Sequence, residues 1–129
     1  MILTIKTDQP EAELGLYDAD KLVELVKWEA GRQLAETIHA KIDELLKTHQ
    51  LSLTDLTGLV CFKGPGSFTG LRIGLTVGNA LAYGLNIPIV GTAGENWAQA
   101  GLERLAAHDN DTQVVPDYGA PVHITPPRK

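Results

Sequence analysis

A glycine-rich run behind a short apolar segment holds the residue types in this sequence that best suit chemistry. Gly64 and Gly66 flank a proline, and two hydroxyl side chains, Ser67 and Thr69, follow them. Free backbone N–H groups in such a loop, together with the positive end of a following helix, can hold a phosphate. One interpretation is therefore a phosphate-binding loop in which Gly64, Gly66, Ser67 and Thr69 contact the anion.

The same run also suits a tight turn that joins a strand to a helix without any ligand. A Walker loop needs G-x-x-x-x-G-K-[ST], whereas Lys63 precedes the glycines here. The spacing also differs from the dinucleotide pattern G-x-G-x-x-G. The turn is the favoured interpretation, and a small nucleotide-binding or phosphotransfer enzyme that uses the Gly64–Gly70 loop is the alternative.

Other reactive side chains are scattered along the chain. Cys61 lies in an apolar segment and is interpreted as buried and structural rather than nucleophilic. His39 has acidic residues three positions before and four after it, but all lie on one predicted helix, and a metal site needs at least three converging ligands. The four histidines are expected at the surface. The sequence predicts no catalytic residue and no metal site in this chain.

Composition narrows the class of protein further. A length of 129 residues with 43% hydrophobic and 21% charged residues suits one globular domain. The net charge of −5 argues against nucleic-acid binding by the chain unaided, because phosphates require a basic surface. No segment approaches the roughly 20 apolar residues of a membrane span, and no signal-peptide pattern begins the chain. With a single cysteine, these features predict a cytoplasmic protein.

Hydrophobic periodicity predicts three strands followed by alternating helices and strands, in the order βββαβαβα. A turn at 18–20 joins the second strand to the third, and Thr92-x-x-Glu95 resembles a helix capping box. The domain is predicted to span 1–107, with 108–129 as a connector and tail. Strands are predicted at 1–6, 13–18, 22–28, 59–62 and 86–90, helices at 33–49, 68–84 and from the capping box to 105, and a strand stub at 113–115.

The predicted helix at 68–84 carries a small residue at every fourth position. Glycine inside a helix costs about 0.5–1 kcal/mol relative to alanine, so this stripe predicts close contact with another helix. Arg72 opposes the helix dipole near the N-terminus, and we interpret it either as one side of an ion pair across an interface or as a surface arginine. The expected interface residues are Gly70, Arg72, Ile73, Gly74, Val77, Gly78, Leu81 and Ala82, with Leu34 and Ile38 on the helix at 33–49.

The segment Gly-Pro-Gly-Ser-Phe-Thr-Gly-Leu-Arg-Ile-Gly, at 64–74, resembles the signature of the TsaB (YeaZ) family. The likeness continues in the opening strand at 1–7, in parts of the segment at 31–46 and in the strand at 87–91. It covers about residues 1–106 of the chain.

The resemblance implies an α/β domain of the RNase H-like, actin-like ATPase (ASKHA) class with a mixed five-stranded sheet. TsaB proteins serve the formation of threonylcarbamoyladenosine on tRNAs that read ANN codons. They do so as non-catalytic scaffolds that pair through helices with a paralogue, TsaD, and are joined by a TsaE-like ATPase. The resemblance therefore implies that ATP or ADP and metal belong to the partner complex and that tRNA is contacted only indirectly. The same helix face could also serve a homodimer when the chain is alone.

Two departures from the family pattern favour a shortened and non-catalytic member. The superfamily usually carries an aspartate on its first strand, where this chain has Lys6, and a cation cannot ligate Mg²⁺. Asp8 falls on the same face two residues later and is expected to be a solvated turn residue rather than a substitute ligand. Family members normally continue into a second domain, of which 108–129 is interpreted as a remnant.

Overall fold

The computed structural model describes residues 1–66 and 68–117, and of Phe68 the backbone alone. Across this range the predicted order βββαβαβα is confirmed. Short 3₁₀ turns at Gly31–Gln33 and Leu53–Asp55 precede α1 and β4. The elements are β1 (Ile2–Lys6), β2 (Glu11–Asp18), β3 (Lys21–Glu29), α1 (Leu34–Thr48), β4 (Gly58–Phe62), α2 (Phe68–Leu85), β5 (Ile89–Thr92) and α3 (Trp97–Ala106).

The strands form one mixed sheet of five, in the order β3-β2-β1-β4-β5. The first three strands are antiparallel neighbours, and Ala19, with a φ of 56°, makes the tight turn between β2 and β3. β4 lies parallel to β1, and β5 lies parallel to β4. Parallel neighbours need long crossover connections, which here contain the helices. The predicted mixed sheet is confirmed.

The helices lie on both faces of the sheet. Val60 and Cys61 follow one another on β4, so their side chains point to opposite faces. Val60 lies against Gly101 of α3, whereas Cys61 lies against Gly78 of α2. The apolar side chains on one face of α1 are all buried, on the same face of the sheet as α2: Leu34, Ile38, Ile42, Leu45 and Leu46.

Over the described residues, the face of the sheet that carries α3 is only partly covered. α3 packs mainly on β4 and β5. Beyond them, β3 leaves Leu22 and Leu25 52% and 41% exposed. Within the described part of the chain, no helix combines the length and the apolar character that crossing a membrane requires.

Three local predictions were wrong. The fifth strand begins at Ile89 instead of 86, because Asn86 takes a positive φ of 57° as the chain leaves α2. The capping box does not form, since Thr92 belongs to β5 and its hydroxyl donates a 2.7 Å hydrogen bond to the carbonyl of Trp97. The predicted strand at 113–115 is irregular, and Val114 is held instead by two hydrogen bonds with the side chain of Asn79.

Candidate protein-interaction site

The small-residue stripe of α2 faces the protein's own sheet. A Cβ placed on Gly78 would lie 2.6 Å from Cys61 Sγ, and one placed on Gly74 would collide with Thr7 Oγ1. The Thr7 hydroxyl also donates a 2.8 Å hydrogen bond to the carbonyl of Gly70. The glycines therefore mark a close approach, as predicted. The neighbour that α2 approaches, however, is the protein's own sheet and not a second helix.

This packing removes several residues from the predicted interface. A helix cannot use one face both to cover its own sheet and to meet a partner, so the buried members of the predicted interface are occupied by contacts within the chain. On α2, Arg72 is exposed, whereas Gly70, Ile73 and Leu81 are half-buried. The predicted interface residues that are buried inside the chain are Gly74, Val77, Gly78 and Ala82 on α2 and Leu34 and Ile38 on α1.

A groove of about 310 Å³ lies between α1 and α2 on their outer side. Ile73 and Val77 form its apolar part, and the small side chains of Ala35 and Thr76 keep it shallow. His39 and Arg72 complete the lining. A shallow groove with apolar contacts between two helices suits a helix supplied by another protein.

The outward face of α2 continues past this groove toward the end of the helix. Arg72 is the one charged residue among the eighteen of α2, and Tyr83 at the far end is 91% exposed. Protein interfaces are depleted in charge at their centre and enriched in aromatic residues and arginine. The near-absence of charge on α2 is visible in the sequence and could have indicated its exposed residues. Five surface candidates on the two helices were not predicted: Ala35, His39, Thr76, Ala80 and Tyr83.

Arg72 has no ion pair or hydrogen bond with the part of the chain that the structure describes. It lies in the first turns of α2, where the helix dipole makes a positive charge unfavourable. Its guanidinium borders the groove and is exposed. The geometry is compatible with both sequence interpretations, an ion pair with a partner carboxylate and a surface arginine, and a binding measurement distinguishes them.

The glycine-rich loop packs against an acidic side chain. Gly64 has a φ of 117°, which favours glycine, and a Cβ on Gly66 would collide with the Cβ of Asp8. Asp8 is 8% exposed, and Lys6 Nζ lies 2.7 Å from its Oδ1. The Lys6 ammonium also lies 4.8 Å from the centre of the Phe62 ring.

These contacts favour the tight-turn interpretation of the loop. A buried carboxylate beside Gly66 repels phosphate, and the adjacent ammonium is already paired with that carboxylate. The expectation that Lys6 and Asp8 share a face is confirmed, but Asp8 is buried rather than solvated. Thr69 is exposed, and Ser67 lies outside the described residues. Among those that are described, no three His, Cys, Asp or Glu side chains come together where they could hold a metal ion.

Cys61 is fully buried beneath α2, and burial raises the pKa of its thiol to about 12. Because the thiolate is the nucleophilic form, this cysteine is inert at neutral pH. Its structural interpretation is confirmed. Of the histidines, His39 is exposed, while His49 places Nε2 2.7 Å from Oε1 of Glu24. His123 lies outside the described residues.

Known proteins and one family model are similar in sequence to this chain. Residues 27–94 match the model of the family TsaD: tRNA N6-adenosine threonylcarbamoyltransferase. The tRNA threonylcarbamoyladenosine biosynthesis protein TsaB of Escherichia coli K12 is 35% identical over 82 residues, which cover 59% of this chain and 36% of that protein. The tRNA N6-adenosine threonylcarbamoyltransferase of Geotalea daltonii is 42% identical over 62 residues, which cover 48% of this chain and 18% of that protein.

A solved structure shares the fold. YeaZ from Pseudomonas aeruginosa superposes with a TM-score of 0.68 at 22% identity, over 81% of this chain and 49% of that one. The likeness shows the RNase H-like, actin-like α/β fold that the sequence resemblance implied. The chain spans about a third of the TsaB relative and about half of the YeaZ structure.

Proposed function

We propose that this chain, which belongs to the TsaD family with TsaB and YeaZ among its relatives, is a non-catalytic partner subunit in threonylcarbamoyladenosine biosynthesis. It pairs with a TsaD-type protein by docking helices of that protein on the groove between α1 and α2. The observation that carries the proposal is this groove. It is lined by apolar and small side chains, and it lies beside α2, a helix whose one charged residue is Arg72.

The groove supplies both parts of a helix–helix contact. Ile73, which is half-buried, offers apolar area at the base, whereas Val77 adds little because it is only 7% exposed. Ala35 and Thr76 are short enough for another helix to come close. Interface centres made of such residues are desolvated when the partner arrives, and this desolvation supplies most of the affinity. Arg72 lies at the border, where a partner carboxylate would set the orientation of the two proteins.

The first strand supports a role without catalysis. Lys6 occupies the position where the superfamily carries its aspartate, and its ammonium is paired with Asp8. A carboxylate that is held by an ammonium 2.7 Å away is not free to ligate Mg²⁺. In this proposal the nucleotide and the metal are held by the TsaD-type subunit, the TsaE-like ATPase joins the assembled pair, and the acidic chain contacts tRNA only through its partner.

The test is to mix the purified chain with the TsaD-type protein of the same organism and to measure the mass of the complex by size-exclusion chromatography with light scattering. We expect a one-to-one complex. Ala35→Arg should weaken it at least about tenfold, because a long charged side chain fills the groove and desolvating its charge costs free energy. Ala40→Arg is the matched control, since Ala40 is exposed on the same helix but does not line the groove.

Equal binding by the two arginine variants would show that the groove is not the docking site. Absence of a complex for the unmodified chain, with and without ATP, would overturn the subunit role itself. Binding of ATP by the isolated chain, abolished by Gly66→Val, would instead favour the nucleotide-binding alternative.

A further inference from the structure

Three strands of the sheet share an apolar surface on the side of α3. This side can be identified at β4, where a Cβ on Gly58 would collide with Leu105 of α3. Directly paired residues of neighbouring strands share a face. The same face therefore continues from Gly58 across β1, β2 and β3 through a first row of side chains: Ile2, Tyr17 and Leu22.

A second row lies next to the first and consists of Thr4, Gly15 and Leu25. A Cβ on Gly15 would lie 3.1 Å from Tyr17 Cε1 and 3.5 Å from Leu25 Cδ1, so both side chains reach over the glycine. A shift in the pairing of β3 with β2 brings both leucines, three residues apart, to this side of the sheet. They are 52% and 41% exposed, and we call the two rows the open face.

A cavity of about 580 Å³ lies at the end of the open face, between α3 and the turn that joins β2 to β3. Ile2 belongs to both, so the two surfaces are continuous. Pro88 and Leu105 supply further apolar area, and both are half-buried. The charged side chains of the lining are two carboxylates, Asp20 and Glu103.

Both carboxylates can accept a ligand. Asp20 is exposed and has no ion pair or hydrogen bond with the part of the chain that the structure describes. Glu103 is also exposed and accepts a long hydrogen bond, of 3.3 Å, from the Gln99 amide. The described residues that line the cavity include no lysine or arginine. The cavity thus places two negative charges beside apolar side chains.

The nearby cations of the chain are directed elsewhere. The Arg104 guanidinium is held by two other carboxylates, on the side of β5. Lys21 precedes Leu22 in β3 and therefore points to the opposite face of the sheet. The N-terminal ammonium donates a 3.1 Å hydrogen bond to the carbonyl of Asp55. The charge of the cavity is therefore complementary to a cation that these groups do not supply.

We propose that the open face and the cavity bind an amphipathic helix of another protein, with a lysine or arginine of that helix beside Asp20 and Glu103. Adjacent strands lie about 4.8 Å apart, so β1, β2 and β3 span about 10 Å, which matches the diameter of a helix with its side chains. The bound helix lies next to α3 and covers the exposed leucines with an apolar stripe. This side of the sheet is opposite to α1 and α2, so the proposal does not depend on the proposed function.

Two synthetic peptides test this by titration calorimetry at low salt. Both are helices of about 18 residues with one leucine stripe, and they differ only in carrying lysine or glutamate beside one end of the stripe. We expect the lysine peptide to bind at least about tenfold more tightly. Asp20→Lys combined with Glu103→Lys should reverse this preference, and Leu22→Asn should weaken the lysine peptide at least about fivefold.

Matched variants control for net charge and for loss of apolar surface. Asp43→Lys combined with Glu44→Lys changes the net charge equally, on the exposed side of α1, and should keep the preference for lysine. Val115→Asn removes an apolar side chain that is 63% exposed and does not line the cavity, so both affinities should stay unchanged. Thermal unfolding confirms that each variant is folded.

Equal affinity of the unmodified chain for the two peptides would overturn the proposal, as would no binding at about 1 mM peptide. So would a preference that the lysine substitutions at 20 and 103 do not reverse, or binding that Leu22→Asn leaves unchanged. Binding that appears only after deletion of residues 118–129 would assign the cavity to the chain's own tail instead of to a partner.

Discussion

The two faces of α2 differ in what lies against them within the described part of the chain. The inward face presents Gly74 and Gly78 to β1 and β4, at distances that no side chain would allow. The outward face presents Thr76, Arg72 and Tyr83 to solvent, with Ile73 and Val77 forming the base of a groove against α1. The inward face stabilises the fold, and the outward face is the surface that we propose for the partner.

The comparison shows what a glycine stripe does and does not indicate. Small residues at every fourth position mark the face of a helix that must come close to something. They do not identify that neighbour, because a sheet of the same chain and a helix of another chain impose the same limit on side-chain size. Burial distinguishes the two cases, and here it assigns the stripe to the fold.

The largest expected effect is the replacement of an inward glycine. Gly74→Leu should lower the free energy of unfolding by about 2–4 kcal/mol, since it overpacks the contact with Thr7 and breaks the hydrogen bond from Thr7 to Gly70. Thr76→Leu, two residues along and on the outward face, should change it by less than about 0.5 kcal/mol. Urea denaturation measures both.

A thiol-reactive dye gives a second measurement for the same pair. Cys61 lies beneath α2, so it should react slowly in the unmodified chain and in Thr76→Leu, and faster in Gly74→Leu. If Gly74→Leu kept full stability and lost only partner binding, the stripe would be an interface after all.

The second effect concerns the charge on the outward face. Arg72→Ala should weaken binding of the TsaD-type partner by about 1 kcal/mol, roughly fivefold, with unchanged stability, if its guanidinium meets a partner carboxylate. The difference in affinity between Arg72→Ala and the unmodified chain should shrink as salt is added, because ions screen an exposed ion pair. Titration calorimetry at two salt concentrations measures it. Identical affinity at low salt would mean that Arg72 is a surface arginine.

The smallest effect concerns residues 109–115, which run along the outer edge of β5 and tie the flank of α2 to it through Asn79 and Asp111. The hydrogen bond from Arg104 and the hydrogen bond from the Gly91 N–H lower the pKa of the Asp111 carboxyl below its ordinary value. A lowered pKa in the folded state stabilises the fold above the ordinary pKa near 3.8, and this stabilisation is lost as pH falls through the folded value.

Chemical denaturation of Asp111→Asn across pH 3 to 7 checks this linkage. The variant should be slightly less stable than the unmodified chain near neutral pH, and the two should converge as the pH falls below about 4. The control is Glu103→Gln, an exposed change on α3. Its free energy of unfolding should keep a constant difference from that of the unmodified chain across this pH range. If the stability difference between Glu103→Gln and the unmodified chain changed with pH in the same way, the pH dependence could not be assigned to Asp111. Binding of the TsaD-type partner at neutral pH should not change in either variant, since neither residue lines the groove between α1 and α2.

Much of the fold could be predicted from the sequence because its signals are local. The periodicity of Leu34, Ile38 and Ile42 puts them on one apolar face of α1, and in the structure that face is buried. The alternation in β2 and β3, with a turn at 18–20, likewise predicted the hairpin. The errors lie where contacts distant in sequence override a local signal. Thr92 was predicted to cap a helix, but pairing of β5 with β4 fixes it in the strand.

The candidate site could be predicted only in part, for the same reason. Arg72 and Ile73 were predicted to lie at an interface, and they do line the groove. Ala35 and His39 were missed, because they join the groove only through the packing of α1 beside α2. The contact between Gly66 and Asp8 was also missed, since the two residues lie far apart in the sequence and meet only when β1 and β4 pair.

By itself the sequence determined the order of the elements, the apolar face of α1, the close approach marked by the glycines of α2 and the family resemblance. Periodicity, turn chemistry and side-chain size are properties of neighbouring residues, so they can be read before the chain folds. The tertiary structure decided which neighbour α2 approaches, which parts of the sheet the helices cover and where α1 and α2 leave a groove. Each of these depends on which distant segments are packed together, because burial and exposure are properties of that packing and not of any single segment.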